Sequence, residues 1–349
     1  MGMIKLPKES INFFKENLDE IFKSGNLAEG EWNETLAKFI INLTGATNAL
    51  PTNSNGAGIV SLLTIYRYYH GRNKVLIQSN TMYGVKTMVS AAGSKVSGFI
   101  NCQLETLMPS IEDVKNVISQ LNKADKKTLI ILLSHIGGII NPDIKLIAQL
   151  CKDENIILLE DCAHSFASTL DGKHSGLFGD AGVYSFYATK AIPVGEGGII
   201  LTKNNKIGDM TKSFSMYDRF EQKLEVANNI RISEVQALLA YSVIKEWKQI
   251  IDDKKNIAEK YMDILKEKGI KYISQNEDGN LGNYYKFIIY NNKNIHDVYP
   301  MIKTMTSPVY DYSIGIPNQV AKNHACLPIW YAQENNITEK VLEELSLVI

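Results

Sequence analysis

The sequence predicts an α/β protein: a large domain whose mostly parallel sheet is sandwiched by helices, with a smaller C-terminal α+β domain attached. Three observations carry this expectation. Through about residue 203, short apolar runs alternate with segments whose apolar side chains recur every three or four positions, as βαβ units require. Beyond that point the pattern turns to successive helices over 233–269 and then to short mixed segments. With 349 residues, 45% of them hydrophobic and 21% charged, the chain can bury a full core and has the length of about two domains. The expected division is 1–232 for the large domain and 233–349 for the small one.

The elements follow in order. Ile11, Phe14, Leu18 and Ile21 lie on one face of a helix over 10–22, and a second helix over 31–43 stops at Gly45, a residue suited to a helix C-terminus. Asn53-Ser54-Asn55-Gly56-Ala57-Gly58 opens an apolar segment over 59–69 that closes at Gly71. Strands are expected at 74–77, 95–100, 128–134 and 156–160, separated by helices at 85–92, 111–121 and 144–152. A hydrophobic strand within 180–187 precedes Lys190, and the glycine-rich turn Gly195-Glu196-Gly197-Gly198 leads into another. In the last third, Val235, Leu238, Leu239, Val243 and Trp247 form a helical stripe, 284–290 reads as a strand and 339–348 as a helix.

Charge and cysteine usage narrow the class. The 37 basic and 38 acidic residues nearly cancel and no segment collects a basic block, so no nucleic-acid partner is expected. No apolar run approaches the ~18 residues of a spanning helix, so no membrane partner is expected either. The first residues lack an apolar signal segment, and Leu6 stands where a myristoylation signal needs Ser or Thr. Cys102, Cys151, Cys162 and Cys326 are scattered without paired spacing, which fits reduced thiols in a cytoplasm. His70, His174, His296 and His324 show no metal-ligand spacing, and no metal is expected. A cytoplasmic protein is the expectation.

The chemistry concentrates between 156 and 201. The apolar strand Ile156-Ile157-Leu158-Leu159 ends in Glu160-Asp161, and the carboxyl end of a buried strand is where open α/β sheets bind ligands. A carboxylate there needs a cation or hydrogen-bond donors to stay ionised; the alternative is an Asp that caps the following turn. Lys190 directly follows a hydrophobic strand. A lysine desolvated there loses its proton more readily and becomes a nucleophile toward an aldehyde; the alternative is a solvated loop lysine. His135 either lines the same cleft or is a satisfied loop histidine. Tyr66, Tyr68 and Tyr69 suit a core or a subunit interface, and Cys162 suits packing.

The order Glu160-Asp161-x-Ala163-His164, Gly179-Asp180, Ser185-Phe186, Lys190 and Gly195-Glu196-Gly197-Gly198 resembles that of the DegT/DnrJ/EryC1/StrS family. These are pyridoxal-phosphate sugar aminotransferases of the aspartate-aminotransferase fold, fold type I. Two further segments extend the resemblance over most of the chain. Ser54-Asn55-Gly56-Ala57-Gly58 is similar to the family's Asn-Gly-Thr-x-Ala phosphate loop, and the segment from Asn229 to Ala237 to its Asn-x-Arg-x-Ser-Glu-x-Gln-Ala segment. The resemblance implies pyridoxal 5′-phosphate as cofactor and a role for each matching residue. Lys190 would hold it as a Schiff base and later shuttle a proton. Asp161 would pair with the pyridine nitrogen and keep the ring an electron sink. His164 would sit near the phenolic oxygen, or behind the site without direct contact. Backbone N–H groups of Ala57 and Gly58, with the Ser185 hydroxyl, would take the phosphate at a helix N-terminus. Asn229 would reach the phosphate of a neighbouring subunit, implying a homodimer with shared sites; a helix N-terminal polar residue is the alternative.

The sequence departs from the family pattern at three places. Met82 stands where relatives place an aromatic ring over the cofactor, which leaves that cover to its polarizable sulfur or to Tyr83. Ala57 replaces a threonine. The stretch Ser307-Pro308-Val309-Tyr310-Asp311-Tyr312 matches poorly to a His/Tyr/Pro-rich segment that helps hold the nucleotide-linked sugar. The resemblance implies amino transfer from L-glutamate to a nucleotide-linked keto sugar for capsule, O-antigen or related surface polysaccharides. The mismatch at 307–312 leaves a smaller phosphorylated ketone, such as a triose phosphate, as the alternative acceptor. A family dehydratase would carry histidine in place of Lys190, and a non-catalytic member would not need Lys190, Asp161 and Ser185 together.

Overall fold

The computed structural model describes residues 4–217, 224–306 and 319–348, so the 307–312 stretch lies outside the described residues. The chain opens with α1 (Lys8–Ser24) and α2 (Glu31–Thr44), ended by the left-handed residues Gly25 and Gly45. There follow β1 (Asn48–Thr52), α3 (Asn55–His70), β2 (Lys74–Gln78), α4 (Tyr83–Ala91), β3 (Lys95–Ile100), α5 (Ile111–Ser119), α6 (Lys123–Lys126), β4 (Leu129–Ser134) and α7 (Ile144–Asp153). Next come β5 (Ile157–Cys162), the short β6 (Thr169–Leu170) and β7 (Lys173–His174), β8 (Ala181–Ser185), β9 (Gly198–Thr202) and α8 (Asn205–Ser215). The last third holds α9 (Glu234–Ile244), α10 (Trp247–Glu267), β10 (Lys271–Tyr272), β11 (Asn280–Leu281) and β12 (Phe287–Tyr290). It ends with α11 (Ile295–Val298), α12 (Gln319–Lys322), β13 (His324–Leu327) and α13 (Asn335–Ser346). No helix among the described residues is long and apolar enough to cross a membrane.

Seven strands form the main sheet in the order β1-β9-β8-β5-β4-β2-β3. The run β8, β5, β4, β2, β3 is parallel, and β9 runs antiparallel to both of its neighbours. The mostly parallel sheet expected from the sequence is therefore present. β1 has no counterpart in the apolar pattern, because Asn48-Ala49-Leu50-Pro51-Thr52 mixes polar residues with a proline. The proline is tolerated at an edge strand, where only β9 pairs with it.

Alternation along the strands builds the layers. Val75, Ile77, Ile130, Leu132, Leu159 and Ala181 pack with Ile59 and Leu63 of α3 and Val89 of α4. Leu76, Leu129, Ile131, Leu133 and Leu158 pack with Val114 and Ile118 of α5 and with Ile144 and Ile147 of α7. β4 is buried at all six positions and feeds both layers, which is why it reads as an unbroken apolar run. Each such Leu or Ile contributes about 1.5–3 kcal/mol on burial, so the sheet is a rigid base for whatever its carboxyl edge carries.

The antiparallel sheet β10-β12-β13, with α10 and α13, forms the α+β part of the chain. The division expected at 232/233 falls just ahead of α9. Apolar residues of α9, among them Ala237 and Val243, share one cluster with Leu36 and Ile40 of α2 and with Tyr261, Phe287, Leu327 and Val341 further on.

One residue of α10 opposes the burial. Lys254 is only 4% exposed, and desolvation lowers its pKa to about 7, with Asp253 offsetting part of the effect. The unfolded chain binds the extra proton between pH about 7 and the ordinary lysine range, so stability should rise with pH across that window. Below it the buried ammonium destabilises the fold in full. Lys254→Met should therefore raise stability below pH 7 by about 1–3 kcal/mol and flatten the rise above it, as read by urea unfolding at a series of pH values.

Candidate active site

Asp161 stands one residue from the end of β5, opposite Ser134 of β4 and Val183 of β8. It is buried, and its carboxylate is met from three sides. Asn55 Nδ2 (3.2 Å) and the Ala163 N–H (3.1 Å) donate to Oδ1, and the Ser134 hydroxyl donates to Oδ2 (3.2 Å). Ser134 is held in turn: its N–H donates to Gln78 Oε1 (3.0 Å), and its hydroxyl lies 2.9 Å from that of Thr81. Donors thus fill lone pairs on both oxygens. The turn-capping alternative is also realised, since the Ala163 bond is one of the three.

Lys190 lies in the turn after β8, its N–H donating to the Tyr187 carbonyl (2.8 Å). It lines a cleft of about 500 Å³ together with Asp161, His164, Ser185 and Met82. Its Nζ stands 5.1 Å from the centroid of the Tyr285 ring. Burial lowers its pKa to about 8, with Asp161 pulling in the opposite direction. About a tenth of the amine is then free at pH 7, against roughly one part in three thousand for an ordinary lysine.

His164 is buried with its ring 4.3 Å, centroid to centroid, from that of Tyr285. Its Nδ1 accepts from the Gly137 N–H (3.4 Å). Burial, then Lys190 and Lys286, push its pKa well below the usual histidine range, so the ring is neutral and its proton belongs on Nε2. Ser185 ends β8, and its Oγ accepts from the Tyr187 N–H (3.3 Å). Met82 lines the cleft as the residue ahead of α4, whereas the exposed Tyr83 is not part of its wall.

The start of α3 differs in detail from the sequence reading. Ala57 and Gly58, the expected phosphate donors, are already engaged: the Ala57 N–H donates to Ser54 Oγ (3.0 Å) and the Gly58 N–H to the Ser54 carbonyl (3.2 Å). A Cβ on Gly58 would lie 2.7 Å from Val183, so this glycine lets α3 settle onto the sheet. The cleft wall is made by Ser54, Asn55 and Gly56. The N–H groups of Asn55 and Gly56 have no partner among the described residues. Gly198 permits this approach: a Cβ there would stand 2.6 Å from the Asn55 nitrogen.

Asn229 is exposed and outside the cleft of its own chain; its Oδ1 accepts from the Arg231 N–H (3.1 Å). The residues after it act as fasteners. Ser233 caps α9, accepting from the Gln236 N–H (3.2 Å). The buried Glu234 carboxylate accepts from the Trp32 and Asn33 N–H groups (2.6 and 3.2 Å) at the start of α2, where a negative charge suits the helix dipole. Gln236 Nε2 donates to the carbonyls of Val194 and Glu196 (2.9 and 2.7 Å), fixing the turn beyond Lys190.

Glu160, read from the sequence only as part of the strand end and the motif, has a structural task, and two further participants, Tyr285 and Lys286, carried no clear sequence signal. Glu160 is fully enclosed, Oε1 accepting from Phe178 and Gly179 (both 2.7 Å) and Oε2 from Gly176 (2.8 Å), with His135 Nε2 at 2.9 Å. His135 is thus the satisfied loop histidine. The ligand atoms of His135, Glu160 and Cys162 lie within 4.8 Å of one another, but the carboxylate is already taken up by these donors. Tyr285 and Lys286, just ahead of β12, complete the cleft. Only their setting, a lysine pressed between tyrosines and an apolar strand, hinted at them.

The residues present fit pyridoxal 5′-phosphate. Asp161 would offer a carboxylate to a pyridinium nitrogen, Lys190 an amine to an aldehyde, and the open N–H groups of α3 with the Ser185 hydroxyl a seat to a phosphate. In the cofactor-free protein, labelling of Lys190 by fluorodinitrobenzene, followed by peptide mass spectrometry, should rise with a midpoint near pH 8. Asp161→Asn removes the charge that holds the proton and should move that midpoint lower.

Over 182 residues the chain is 32% identical to the GDP-perosamine synthase of Vibrio cholerae, and over 216 residues 26% identical to that of Escherichia coli O157:H7. These matches take in 51% and 60% of this chain but 47% and 57% of those proteins, so the chain spans about half the length of the curated relatives it matches. The fold is similar to that of Helicobacter pylori PseC, an aminotransferase involved in pseudoaminic acid biosynthesis, with a TM-score of 0.82 at 18% identity over 98% of this chain and 97% of that one. The model of the DegT/DnrJ/EryC1/StrS aminotransferase family matches residues 8–343, and the chain belongs to that family.

Proposed function

We propose that this protein is a pyridoxal-phosphate-dependent aminotransferase that moves the amino group of L-glutamate onto the keto group of a nucleotide-linked sugar, for surface polysaccharide synthesis in the cytoplasm. The observation that carries the reading is the placement in one cleft of an amine with its pKa lowered to about 8 and a buried carboxylate that accepts hydrogen bonds from three donors. Membership of the family and the likeness to GDP-perosamine synthases support it.

When bound, the cofactor supplies an electron sink next to the carbon that gains or loses nitrogen. The protein supplies the rest. Asp161 would pair with the pyridine nitrogen and hold a proton there. Lys190 Nζ takes a proton from the substrate carbon and returns it, a task suited to an amine that titrates near the working pH. The Asn55 and Gly56 N–H groups and Ser185 Oγ would seat the phosphate, and Met82 would cover the ring. Neutral His164 lines the same cleft as Lys190 without adding charge to it. Asn229, exposed on its own chain, serves the site of a second copy in a homodimer.

The visible absorption spectrum tests this. The protein loaded with pyridoxal phosphate should be yellow and should bleach on addition of L-glutamate. Lys190→Ala should lose the response and slow turnover by at least about 10³-fold; full activity in that variant would overturn the assignment. Saturable turnover of a phosphorylated triose in place of a nucleotide-linked keto sugar would select the smaller acceptor that the 307–312 mismatch admits.

A further inference from the structure

The cleft contains a second amine that the chemistry above leaves unused. Lys286 lines the same wall as Tyr285, opposite Asp161 and Lys190 in sequence origin but in one cavity with them. Its Nζ stands 5.4 Å from the Tyr285 centroid and Lys190 Nζ 5.1 Å from the same point. Among the described residues no carboxylate forms an ion pair with Lys286, and Glu196, the other acid on the wall besides Asp161, does not reach it.

The backbone that carries this side chain is fixed. The Lys286 N–H donates to the Gly137 carbonyl (2.9 Å), and its own carbonyl accepts from Gln275 Nε2 (2.7 Å), which also donates to Gly137 (3.1 Å). Just ahead of it, the Tyr285 N–H donates to Asn283 Oδ1 (2.9 Å), and Asn283 Nδ2 donates to the carbonyls of His164 and Phe166 (2.9 and 2.8 Å). Gly138, at φ 118°, makes room for this: a Cβ there would stand 2.6 Å from Asn283 Oδ1. An ammonium fixed by its backbone at a cleft wall, without an internal counter-charge, favours a ligand that brings one, because closing the cleft over it unpaired is unfavourable. The seat for the cofactor's phosphate is elsewhere, at the start of α3.

We propose that Lys286 is the receptor for an anionic group of the substrate, a carboxylate or phosphate on the molecule whose reacting atom meets Lys190. This rests on the aminotransferase reading, which puts the reacting atoms at Lys190. The anion has two sources: the α-carboxylate of the amino donor or a phosphate of the acceptor.

The test uses the cofactor-loaded protein and two anions that cannot react, maleate for the donor and inorganic pyrophosphate for the acceptor. Each is titrated by calorimetry into the wild type, Lys286→Met and Lys286→Arg. At least one anion should bind the wild type, weaken about tenfold or more in Lys286→Met and recover to within about threefold in Lys286→Arg. Loss confined to maleate assigns the donor carboxylate, loss confined to pyrophosphate assigns the acceptor phosphate, and loss of both makes Lys286 the shared receptor. Equal affinities in wild type and Lys286→Met, or no binding of either anion to the wild type, overturn the proposal. So does disappearance of the cofactor's visible band in Lys286→Met alone, which would make the lysine a cofactor ligand. A wild type that never acquires that band overturns the aminotransferase reading instead.

Discussion

β5 ends by burying two carboxylates in succession, and strand geometry sends Glu160 and Asp161 to opposite faces of the sheet. On one face Glu160 gathers three backbone N–H groups from 176–179 and the His135 ring. That anion fastens the chain that must return to form β8 and then deliver Lys190. On the other face Asp161 meets Asn55 and Ser134, so the start of α3 and the end of β4 are tied to the same strand terminus. Buried carboxylates persist only when their lone pairs are filled. Filling them here ties the chain entering β8, the end of β4, the start of α3 and the turn that carries His164 to one strand terminus.

The electrostatics of the cleft follow from that arrangement. Asp161 is the charge that keeps Lys190 from losing its proton more readily still, while desolvation dominates and lowers the pKa to about 8. His164 feels burial and two amines, all acting in one direction, and stays neutral. A charged imidazole there would add a third cation beside the two amines; a neutral one leaves the positive potential of the cleft to them.

Legibility followed distance along the chain. The parallel strands were readable because burial on both faces leaves unbroken apolar runs, as in β4, and Asp161 and Lys190 because they follow such runs directly. The start of α3 was readable as a helix N-terminus, but not its register: Ser54 acts as the cap and consumes the Ala57 N–H, which moves the open donors to Asn55 and Gly56. The bond from Asn55 to Asp161 spans 106 positions, and no local pattern announces it. Tyr285 and Lys286 were hidden for the same reason, since what makes them part of the site is the fit of 275–286 against Gly137 and Gly138. Glu234 and Gln236 stood inside a recognisable motif, yet their work is structural: one holds α2 and the other holds the turn beyond Lys190.

The fit of 275–286 also determines how the two parts of the chain share the chemistry. Lys190 and Asp161 belong to the main sheet, whereas Tyr285 and Lys286 are presented by the chain entering β12 of the antiparallel sheet. The tie between them is a set of hydrogen bonds from Gln275, Asn283 and Lys286 to the carbonyls of Gly137, Gly138, His164 and Phe166. Backbone carbonyls of buried loops must be satisfied, so this stitching is required for folding whether or not the site works. The same bonds fix the Tyr285 ring, whose centroid stands 5.1 and 5.4 Å from the two amines. A fold-level requirement thus sets the spacing between Lys190 and the wall made by Tyr285 and Lys286, and a small shift of the antiparallel sheet would reshape the cleft on that side while leaving Asp161 and its donors in place.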